Sequence, residues 1–466
     1  MSSNRRKFIR NISLGAGALA TGLETKASIS ETAKSIPAGF NMTGYAAPKL
    51  DVVRIGIVGL GQRGSGAVER LAYIDGVEIT ALCDKYPDRV AAAQKTLEKM
   101  KRPKAKEYSG DEGYKALCES NDVDLVYTPT PWHLHTPVAL HAMRNGKHAA
   151  VEVPAAVTMD QCWELVETSE KTKKHCMMLE NCCYDFFELL TLNLVRNGLL
   201  GDIVHAEGAY IHDLSEGWLF NKRAYADMWR LKENAKRNGS LYPTHGLGPI
   251  AQCMDINRGD RMDFLVSVSS ADFTLAKMAE QKAAKDPFFN EFVGKNYRGN
   301  MNTTTVKTVK GRTMMIQHDV STPRPYSRIH LVSGTKGVAS KWPSPERIGF
   351  GHSWIKPEEL KELYTKYSPP IVKHIGEIAK EVGGHGGMDF IMDWRLIDCL
   401  RNGLPLDQDV YDAASWTAVG LLSEQSVAKR SRSIDIPDFT RGNWQTNTPV
   451  NLTLDGGGNT GVRKVK

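Results

Sequence analysis

The segment RIGIVGLGQRGSGAVERLAYIDGVEITALCD, from Arg54 to Asp84, decides the fold of this chain. An apolar run, Ile55–Val58, leads into the glycine-rich loop GLGQRG, and a helical pattern and a second apolar run, Val77–Leu82, follow it. This order of strand, glycine loop, helix and strand is typical of a dinucleotide-binding fingerprint. We therefore predict an α/β nucleotide-binding domain that begins here.

Each glycine of this loop has its own task. Gly59 permits the tight turn, Gly61 lets the backbone approach a pyrophosphate, and Gly64 lets the helix pack closely on the strand. The N-terminus of the helix adds free N–H donors and a positive dipole. Gln62 and Arg63 lie between the last two glycines. We expect these five residues to contact the cofactor.

The acid at the end of the second strand predicts which cofactor binds. Asp84 lies 20 residues after Gly64, at the spacing where a carboxylate accepts hydrogen bonds from the ribose 2′-hydroxyl. The same carboxylate repels a 2′-phosphate. The sequence therefore predicts NAD rather than NADP.

Length and composition are those of a globular protein with two domains and an extension. The chain has 466 residues, of which 41% are hydrophobic and 24% charged, and this length exceeds one ordinary core. The formal charge of +7 comes from scattered Lys and Arg, without a nucleic-acid-binding motif, so we expect no nucleic-acid partner. The eight cysteines show no C-x-x-C spacing, which predicts neither a disulfide framework nor a zinc site.

The N-terminus resembles a twin-arginine export signal. Arg5 and Arg6 precede an aromatic residue, Phe8, and the apolar segment Ile12–Leu23 follows. That segment is too short for a permanent membrane anchor. The twin-arginine route carries folded proteins, which suits a protein that folds around a cytosolic cofactor, so we expect a periplasmic or cell-surface location. A basic N-terminus without a targeting role is the alternative.

A change of pattern near residue 180 separates two folded domains. Strands and helices alternate before it, which predicts a parallel, doubly wound sheet. Strands joined by tight turns follow, which predicts an α+β domain with a largely antiparallel open sheet. Two amphipathic helices, Met388–Arg401 and Tyr411–Lys429, are expected to cover that sheet. The predicted organisation is a signal at 1–30, a linker at 31–50, a NAD-binding Rossmann domain at 51–180, a substrate and dimerisation domain at 181–445, and a flexible tail at 446–466.

The loop after the third expected strand of the sheet, Leu125–Tyr127, is a candidate cofactor contact. It carries Trp132, His133, Leu134 and His135, and ligands of open α/β sheets bind beyond the carboxyl ends of the strands. The His-x-His pair also matches part of a zinc site, but no further ligand cluster has metal spacing, and we predict no metal.

The next two strands end in further polar residues. Glu152 and Val153 precede Pro154, and Glu180 precedes Asn181. By the same rule for open sheets, we expect both segments to line the nicotinamide end of the cofactor.

Over about residues 51–440 the chain resembles the glucose–fructose oxidoreductase/inositol dehydrogenase/MocA superfamily. The resemblance rests on the fingerprint, the T-P-x-x-x-H loop, the E-x-P turn and the sheet domain that follows. In most of that superfamily the turn reads Glu-Lys-Pro, and its lysine assists hydride transfer from a sugar carbon. Val153 replaces that lysine here, which argues against an ordinary sugar dehydrogenase.

Five segments resemble one branch, glycoside hydrolase family 109. They are WHLH at Trp132–His135, VEVPAA at Val151–Ala156, MWRL at Met228–Leu231, YPTHGLGP at Tyr242–Pro249 and TPRPYSRIH at Thr322–His330. The resemblance implies an NAD-dependent α-N-acetylgalactosaminidase, and several members of the family are exported. It also implies hydrolysis with retention, through oxidation at C3, elimination, addition of water and reduction, as an exception to the usual pair of carboxylates.

The family resemblance carries over the site residues of the second domain. Tyr242, Pro243, Thr244 and His245 are implied as cofactor contacts, and His245, Tyr242 and Tyr210 as the catalytic group. Tyr210, Arg230, Tyr242 and Tyr326 are implied as substrate contacts. We favour His245 as the base at C3, because histidine titrates near neutral pH, and a tyrosine as the base at C2. Trp229 is consistent with either a core aromatic or a site residue.

Two other functions stay open at this point. One is an NAD-dependent sugar oxidoreductase of the same superfamily, and the other is a non-catalytic NAD-binding protein. The expected partner is a glycan with terminal α-linked N-acetylgalactosamine. A homodimer through the second sheet is plausible, because the open face of that sheet needs cover.

Overall fold

The first sheet carries six parallel strands in the order β3-β2-β1-β4-β5-β6, which is the Rossmann order. Its strands are β1 Val53–Val58, β2 Val77–Asp84, β3 Lys106–Ser109, β4 Leu125–Thr128, β5 His148–Val151 and β6 Cys176–Met178. The helices between them are α1 Gln62–Ala72, α2 Pro87–Lys99, α3 Gly113–Glu119, α4 Trp132–Arg144 and α5 Met159–Thr172. The computed structural model describes residues 39–450 and 452–463, so the predicted signal at 1–30 and the first part of the predicted linker, residues 31–38, lie outside the described residues.

The second sheet has nine strands in the order β14-β13-β12-β11-β7-β10-β9-β8-β15. All its neighbours are antiparallel except β7 and β10. The strands are β7 Ile203–Ile211, β8 Met262–Ser269, β9 Asn302–Thr308, β10 Thr313–Asp319, β11 Leu331–Gly334, β12 Gly337–Ser340, β13 Arg347–Phe350, β14 Ser353–Trp354 and β15 Ile434–Asp435. The predicted fold class, a Rossmann domain plus an α+β domain with a largely antiparallel sheet, is confirmed.

Eight helices accompany the second sheet. They are α6 Phe186–Arg196, α7 Trp229–Asn234, α8 Thr244–Cys253, α9 Leu275–Ala283, α10 Pro357–Tyr367, α11 Pro370–Val382, α12 Met388–Asn402 and α13 Val410–Ala428.

The prediction that α12 is amphipathic and covers the second sheet is wrong. This helix is buried on nearly every side and packs against α1 and β1 of the first sheet, because its acidic residues Asp389 and Asp393 meet arginines of α1. Helix α13 contacts both sheets, through β6 and β8.

The described parts of the predicted linker and tail pack against the two domains. Met42 is buried, and its backbone N–H donates to the Tyr411 hydroxyl at 3.2 Å. At the other end, Thr460 accepts a hydrogen bond from the Trp394 indole at 2.9 Å. A Cβ at Gly457 would lie 2.6 Å from a carboxylate oxygen of Asp398. The glycines of the tail therefore permit close packing on α12, where composition alone indicated flexibility.

All eight cysteines are buried and unpaired. Burial raises the pKa of several of these thiols, including Cys83 and Cys162, to about 12. They therefore pack as small apolar side chains. Among the helices that the structure describes, none combines the length and the apolar character needed to cross a membrane.

Two stacked histidines lie at the beginnings of β5 and β6. The rings of His148 and His175 are 5.1 Å apart, and His148 Nδ1 accepts the backbone N–H of His175 at 3.0 Å. Burial lowers the pKa of His175 to about 4 and lowers the pKa of His148 well below its usual value. Both rings therefore stay neutral in the folded protein at a pH where the unfolded chain binds protons.

We expect this pair to make the protein sensitive to mild acid. An unfolded histidine takes up its proton near pH 6.5, so the free energy of unfolding falls as the pH drops from there toward 4, by up to about 1.4 kcal/mol per pH unit for each ring. Urea unfolding between about pH 7.5 and pH 5 measures this slope. His175→Gln should flatten the slope, whereas His352→Gln, at an exposed position, should leave it unchanged. Equal slopes in the wild type and in His175→Gln would contradict the account.

Candidate active site

A cavity of about 470 Å³ lies where the carboxyl ends of the first sheet meet the second domain. The predicted site residues on its wall are Gly59, Gly61, Gln62, Arg63, Asp84, Trp132, His135, Glu152, Val153, Asn181, Tyr210, Arg230, Tyr242 and His245. The nucleotide fingerprint and the predicted catalytic group therefore share one cavity. The predicted residues that do not lie on its wall are Gly64, His133, Leu134, Pro243, Thr244 and Tyr326.

The geometry of the glycine loop suits a dinucleotide. Gly59 has a φ of +96°, which favours glycine. A Cβ at Gly64 would lie 1.9 Å from the carbonyl oxygen of Gly59, so the helix approaches the turn as closely as the fingerprint requires. The carboxylate of Asp84 accepts the N–H of Leu60 at 2.7 Å and the N–H of Tyr86 at 2.9 Å. These bonds hold the acid at the end of β2, on the cavity wall, where a ribose would lie.

Arg63 lies on the cavity wall, and its side chain forms two ion pairs. Its guanidinium donates hydrogen bonds to Glu152 at 2.7 Å and to Asp389 at 2.8 Å. The guanidinium is therefore already paired with two carboxylates. Burial by itself would raise the pKa of Asp389, but the charge of Arg63 holds that pKa well below its usual value. Asn181 donates to the second oxygen of Asp389 at 2.5 Å. Binding of a pyrophosphate in this loop thus falls to the backbone N–H groups and the helix dipole.

Two residues of the WHLH segment, Trp132 and His135, lie on the cavity wall. Trp132 lines the cavity and stacks on Tyr242, with ring centroids 5.9 Å apart. His135 is buried, and its two ring nitrogens contact the carbonyl oxygens of Pro154 and Thr130 at 2.7 Å each. This histidine therefore holds two loops of the wall together.

The other two residues of the segment lie off the cavity. His133 is exposed at the start of α4, and Leu134 packs on an apolar cluster behind β4. Helix α4 begins at Trp132, so His133, Leu134 and His135 all lie in its first turn. The histidines of the His-x-His pair are therefore in different surroundings, one exposed and the other bonded to carbonyl groups.

The predicted catalytic residues form one aromatic cluster. Tyr210 lies on β7, Tyr242 precedes α8, and His245 lies in the first turn of α8. The ring centroid of Tyr242 is 4.8 Å from both Tyr210 and His245, and Tyr210 and His245 are 5.3 Å apart. Both tyrosines are buried, with less than a tenth of their surface exposed.

Two glycines bring β7 and α8 into direct backbone contact. A Cβ at Gly246 would lie 2.1 Å from the backbone nitrogen of Ala209, and a Cβ at Gly208 would lie 2.3 Å from the carbonyl oxygen of Gly246. This approach places Tyr210 beside His245. A third glycine, Gly248, leaves room for the Glu180 side chain, since its Cβ would lie 2.8 Å from Glu180 Cγ.

Glu180 is the main residue that the sequence placed wrongly. It was expected to line the nicotinamide end, but its side chain is fully buried behind His245. Its Oε1 lies 2.7 Å from His245 Nδ1, and it also accepts the N–H of Cys182 at 3.1 Å. Burial would raise the pKa of Glu180, yet His245 lowers it below its usual value. An ionised Glu180 fixes the proton of His245 on Nδ1 and leaves Nε2 as the basic nitrogen.

The same residues form the one group of three potential metal ligands in the described part of the chain, Glu180, Cys182 and His245. The hydrogen bond between Glu180 and His245 uses a ligand atom of each. Burial raises the pKa of the Cys182 thiol well above its usual value. A protonated thiol and a bonded imidazole do not make the donor set that a metal requires, so we assign the group to the support of His245.

Arg230 lies among aromatic rings at the side of the cluster. Its guanidinium is 5.0 Å from the ring of Tyr242 and 5.4 Å from the rings of Trp132 and Tyr225, and it donates to the Tyr225 hydroxyl at 2.8 Å. Burial raises the pKa of Tyr210, and the charge of Arg230 opposes that rise. Arg230 thus favours loss of a phenolic proton in this cavity.

Tyr326 lies just behind the cavity wall. Its ring is 6.4 Å from Tyr210 and 5.1 Å from His212, and its hydroxyl accepts a bond from Arg328 at 3.1 Å. His212, which the sequence did not indicate, does line the cavity. Its Nδ1 lies 3.0 Å from the hydroxyl of Tyr210. Burial, together with the charge of Arg230, lowers the pKa of His212, and a neutral ring with its proton on Nε2 accepts this hydrogen bond from Tyr210.

A second histidine was also missed. His385 lines the cavity on a loop with two glycines on each side, residues 383–387, and 56% of its side chain is exposed. Its Nδ1 lies 2.9 Å from Asp389 and 3.2 Å from the guanidinium of Arg63. The sequence signal was present, because a histidine inside GGHGG is an unusual arrangement whose backbone needs conformational freedom.

Comparisons with known proteins found a matching family for each of the two domains. Residues 184–446 match the profile described as glycosyl hydrolase 109, C-terminal domain. Residues 53–180 match that of an oxidoreductase family with an NAD-binding Rossmann fold. The chain is 45% identical to an alpha-N-acetylgalactosaminidase of Shewanella oneidensis, over 96% of this chain and 98% of that one. It is 47% identical to glycosyl hydrolase family 109 protein 1 of Bacteroides fragilis, over 90% and 94%.

Solved structures share the fold at low sequence identity. An oxidoreductase domain protein from Kribbella flavida matches with a TM-score of 0.63 at 18% identity, covering 84% of this chain and 100% of that chain. Levoglucosan dehydrogenase in complex with NADH and L-sorbose matches with a TM-score of 0.60 at 18% identity, covering 83% and 100%. These structures share the fold, and the match of residues 53–180 confirms the NAD-binding Rossmann domain expected from the fingerprint.

The close contact between β7 and α8 leaves no room for a side chain at Gly246. Gly246→Ala should lower the free energy of unfolding by about 2 kcal/mol or more, because the added methyl group meets backbone that cannot rotate away. Gly217→Ala is the matched control, since a Cβ there meets nothing within 4 Å. Thermal unfolding measures both variants. A melting temperature of Gly246→Ala equal to that of the control would contradict the close approach.

Proposed function

The chain belongs to glycoside hydrolase family 109, and on that premise we propose that it removes terminal α-linked N-acetylgalactosamine from glycans. Membership makes it an NAD-dependent glycoside hydrolase. The observation that carries the proposal is the single cavity shared by the glycine loop, Asp84 and the cluster of Tyr210, Tyr242 and His245. A sugar bound against the cluster lies where a nicotinamide would reach it.

The cavity fits NAD by its own geometry. Gly59, Gly61 and the start of α1 form the pyrophosphate cradle, and Asp84 provides the acceptor for a ribose hydroxyl. When bound, NAD supplies a reversible hydride acceptor for C3 of the sugar, and a ketone at C3 makes the neighbouring C2 hydrogen acidic. The side chains of the cavity then have to move protons at the C3 hydroxyl, at C2 and at the leaving group.

His245 is the base for the C3 hydroxyl in this proposal. Its Nδ1 is held by Glu180 at 2.7 Å, which leaves Nε2 for the proton of the substrate. The buried carboxylate stabilises the imidazolium that forms, in the way that the third member of a catalytic triad does. His245 returns the proton when the C3 oxygen becomes a hydroxyl again.

Tyr210 is the stronger of the two candidates for the base at C2. Its hydroxyl is bonded to the neutral ring of His212 at 3.0 Å, so its proton has an acceptor. The charge of Arg230 opposes the effect of burial on the pKa of Tyr210. Tyr242 is stacked on Trp132, and its pKa is raised well above its usual value, chiefly by burial. It therefore serves better as a neutral hydrogen-bond donor to the sugar.

His385 is the proposed acid for the leaving group. It lies on the cavity wall, it is more exposed than the other site histidines, and Asp389 holds its Nδ1. As an imidazolium, His385 would donate the Nε2 proton to the departing oxygen, and the neutral ring that results would accept a proton from the attacking water. His212 is unsuited to this task, because its neutral ring already accepts the Tyr210 hydroxyl.

Neither alternative function accounts for the site as well. An ordinary sugar oxidoreductase of the superfamily uses a lysine where this chain has the buried Val153. A non-catalytic NAD-binding protein has no use for His245 bonded to a buried carboxylate inside the cavity. We also propose that residues 1–30 direct export, which would bring the enzyme to extracellular glycans, and that the second sheet pairs two copies of the chain.

The proposed route predicts exchange of a carbon-bound hydrogen. The enzyme, without added cofactor, is given p-nitrophenyl N-acetyl-α-D-galactosaminide in deuterated water. We expect nitrophenol release and deuterium at C2 of the sugar product, both measured in one sample, the second by NMR. Hydrolysis that leaves the C2 hydrogen in place would contradict deprotonation at C2. Accumulation of oxidised sugar and NADH without nitrophenol release would favour the oxidoreductase instead.

Glu180→Gln tests the support of His245. We expect kcat/KM to fall by about 10²- to 10⁴-fold, because an amide that donates to Nδ1 holds the imidazole in the wrong tautomer, while the bound NAD stays at the wild-type level. Glu170→Gln, another buried glutamate that bonds Tyr411 and Arg441, is the control and should keep its activity. A Glu180→Gln variant as active as the control would remove Glu180 from the mechanism.

A further inference from the structure

A line of aromatic and cationic side chains runs from the catalytic cluster to the mouth of the cavity. Tyr242 lies 5.0 Å from the guanidinium of Arg230, which lies 5.4 Å from the ring of Tyr225, and that ring is 6.1 Å from the ring of Trp218. All four residues line the cavity. The two inner residues are buried, with 9% of Tyr242 and 8% of Arg230 exposed, whereas 38% of Trp218 is exposed.

Trp218 is presented on a fixed piece of backbone. It lies in the single turn Ser215–Leu219, which is separated by three residues from the end of β7 at Ile211. The N–H of Leu214 donates to the carbonyl oxygen of Val320 at 3.0 Å, and the side chain of Leu219 is buried. Isolated exposed aromatic residues are ordinary on protein surfaces. Trp218 differs from them because its ring lies on the wall of a cavity that takes a sugar.

We propose that Trp218, with Tyr225 behind it, binds the sugar ring to which the terminal N-acetylgalactosamine is attached. This rests on the proposed glycosidase function. The terminal sugar occupies the cluster of Tyr242 and His245, so the unit attached to its C1 must leave toward the mouth of the cavity. An indole face of this kind suits the C–H face of a pyranose, because the contact is apolar and leaves the hydroxyl groups free to meet water.

The position of Trp218 distinguishes this role from contact with the cofactor. It belongs to the same segment as Tyr210, on the second domain, whereas the glycine loop and Asp84 belong to the first. Arg230 and Tyr225 separate it from the residues that handle the terminal sugar. Its contribution should therefore depend on what is attached to C1 and be small when nothing large is attached.

Two substrates that differ only in the leaving group test the proposal. The first is the methyl α-glycoside of N-acetylgalactosamine, and the second is the same sugar linked α1–3 to galactose. We expect Trp218→Ala to lower kcat/KM by about five- to tenfold on the disaccharide, mainly through KM, and by less than about twofold on the methyl glycoside. Trp218→Phe should keep most of the wild-type preference. Trp354→Ala, at an exposed tryptophan of β14 that is not on the cavity wall, is the matched control and should change neither value.

Three results would overturn the proposal. They are an equal loss on both substrates, a loss of bound NAD from Trp218→Ala, and a loss confined to N-acetylgalactosamine linked to a serine peptide. The last would mean that the indole binds peptide and not a sugar ring. Cleavage of the methyl glycoside by the unaltered enzyme tests the glycosidase function by itself, so failure of that function is distinguishable from failure of the proposal.

Discussion

The two ion pairs of Arg63 join the parts of the molecule that form the cavity. Glu152 brings the end of β5, Asp389 brings α12 together with the loop of His385, and Arg63 itself starts the helix after the glycine turn. Asn181 adds the end of β6 through its bond to Asp389. The side chain of Asp389 is 1% exposed and that of Arg63 is 33% exposed, so loss of Arg63 would leave a buried carboxylate without this partner. The cavity wall on the cofactor side depends on this contact.

The other side of the cavity depends on glycines, whose lack of a side chain lets neighbouring elements approach closely. Gly208 and Gly246 allow β7 and α8 to touch, and Gly248 makes room for Glu180 behind His245. The distances within the catalytic cluster follow from this backbone contact. Burial raises the pKa of both tyrosines of the cluster, and the charge of Arg230 opposes that rise. Burial lowers the pKa of the neighbouring His212.

The sequence predicted the local features well, and it missed features that join distant segments. The glycine loop and Asp84 lie within a short stretch whose spacing has a physical meaning, and the alternation of strands and helices predicts a parallel, doubly wound sheet. The YPTH segment was identified through the family resemblance. Glu180 and His245 are 65 positions apart, and Arg63 and Asp389 are 326 apart. The spacing of residues within a helix or strand does not indicate contacts between positions so far apart in the sequence. For the same reason the position of α12 was predicted wrongly, since its partners are arginines of the first domain.

The central claim is that a sugar and the nicotinamide react with each other inside one cavity. The most direct test mixes the purified enzyme, without added cofactor, with the natural and the C3-deuterated N-acetyl-α-D-galactosaminide and follows the near-ultraviolet absorbance of reduced nicotinamide. The account predicts a transient rise that decays as turnover ends, and a slower rise with the deuterated substrate. Hydrolysis at equal rates on both substrates, with no absorbance change, would contradict it.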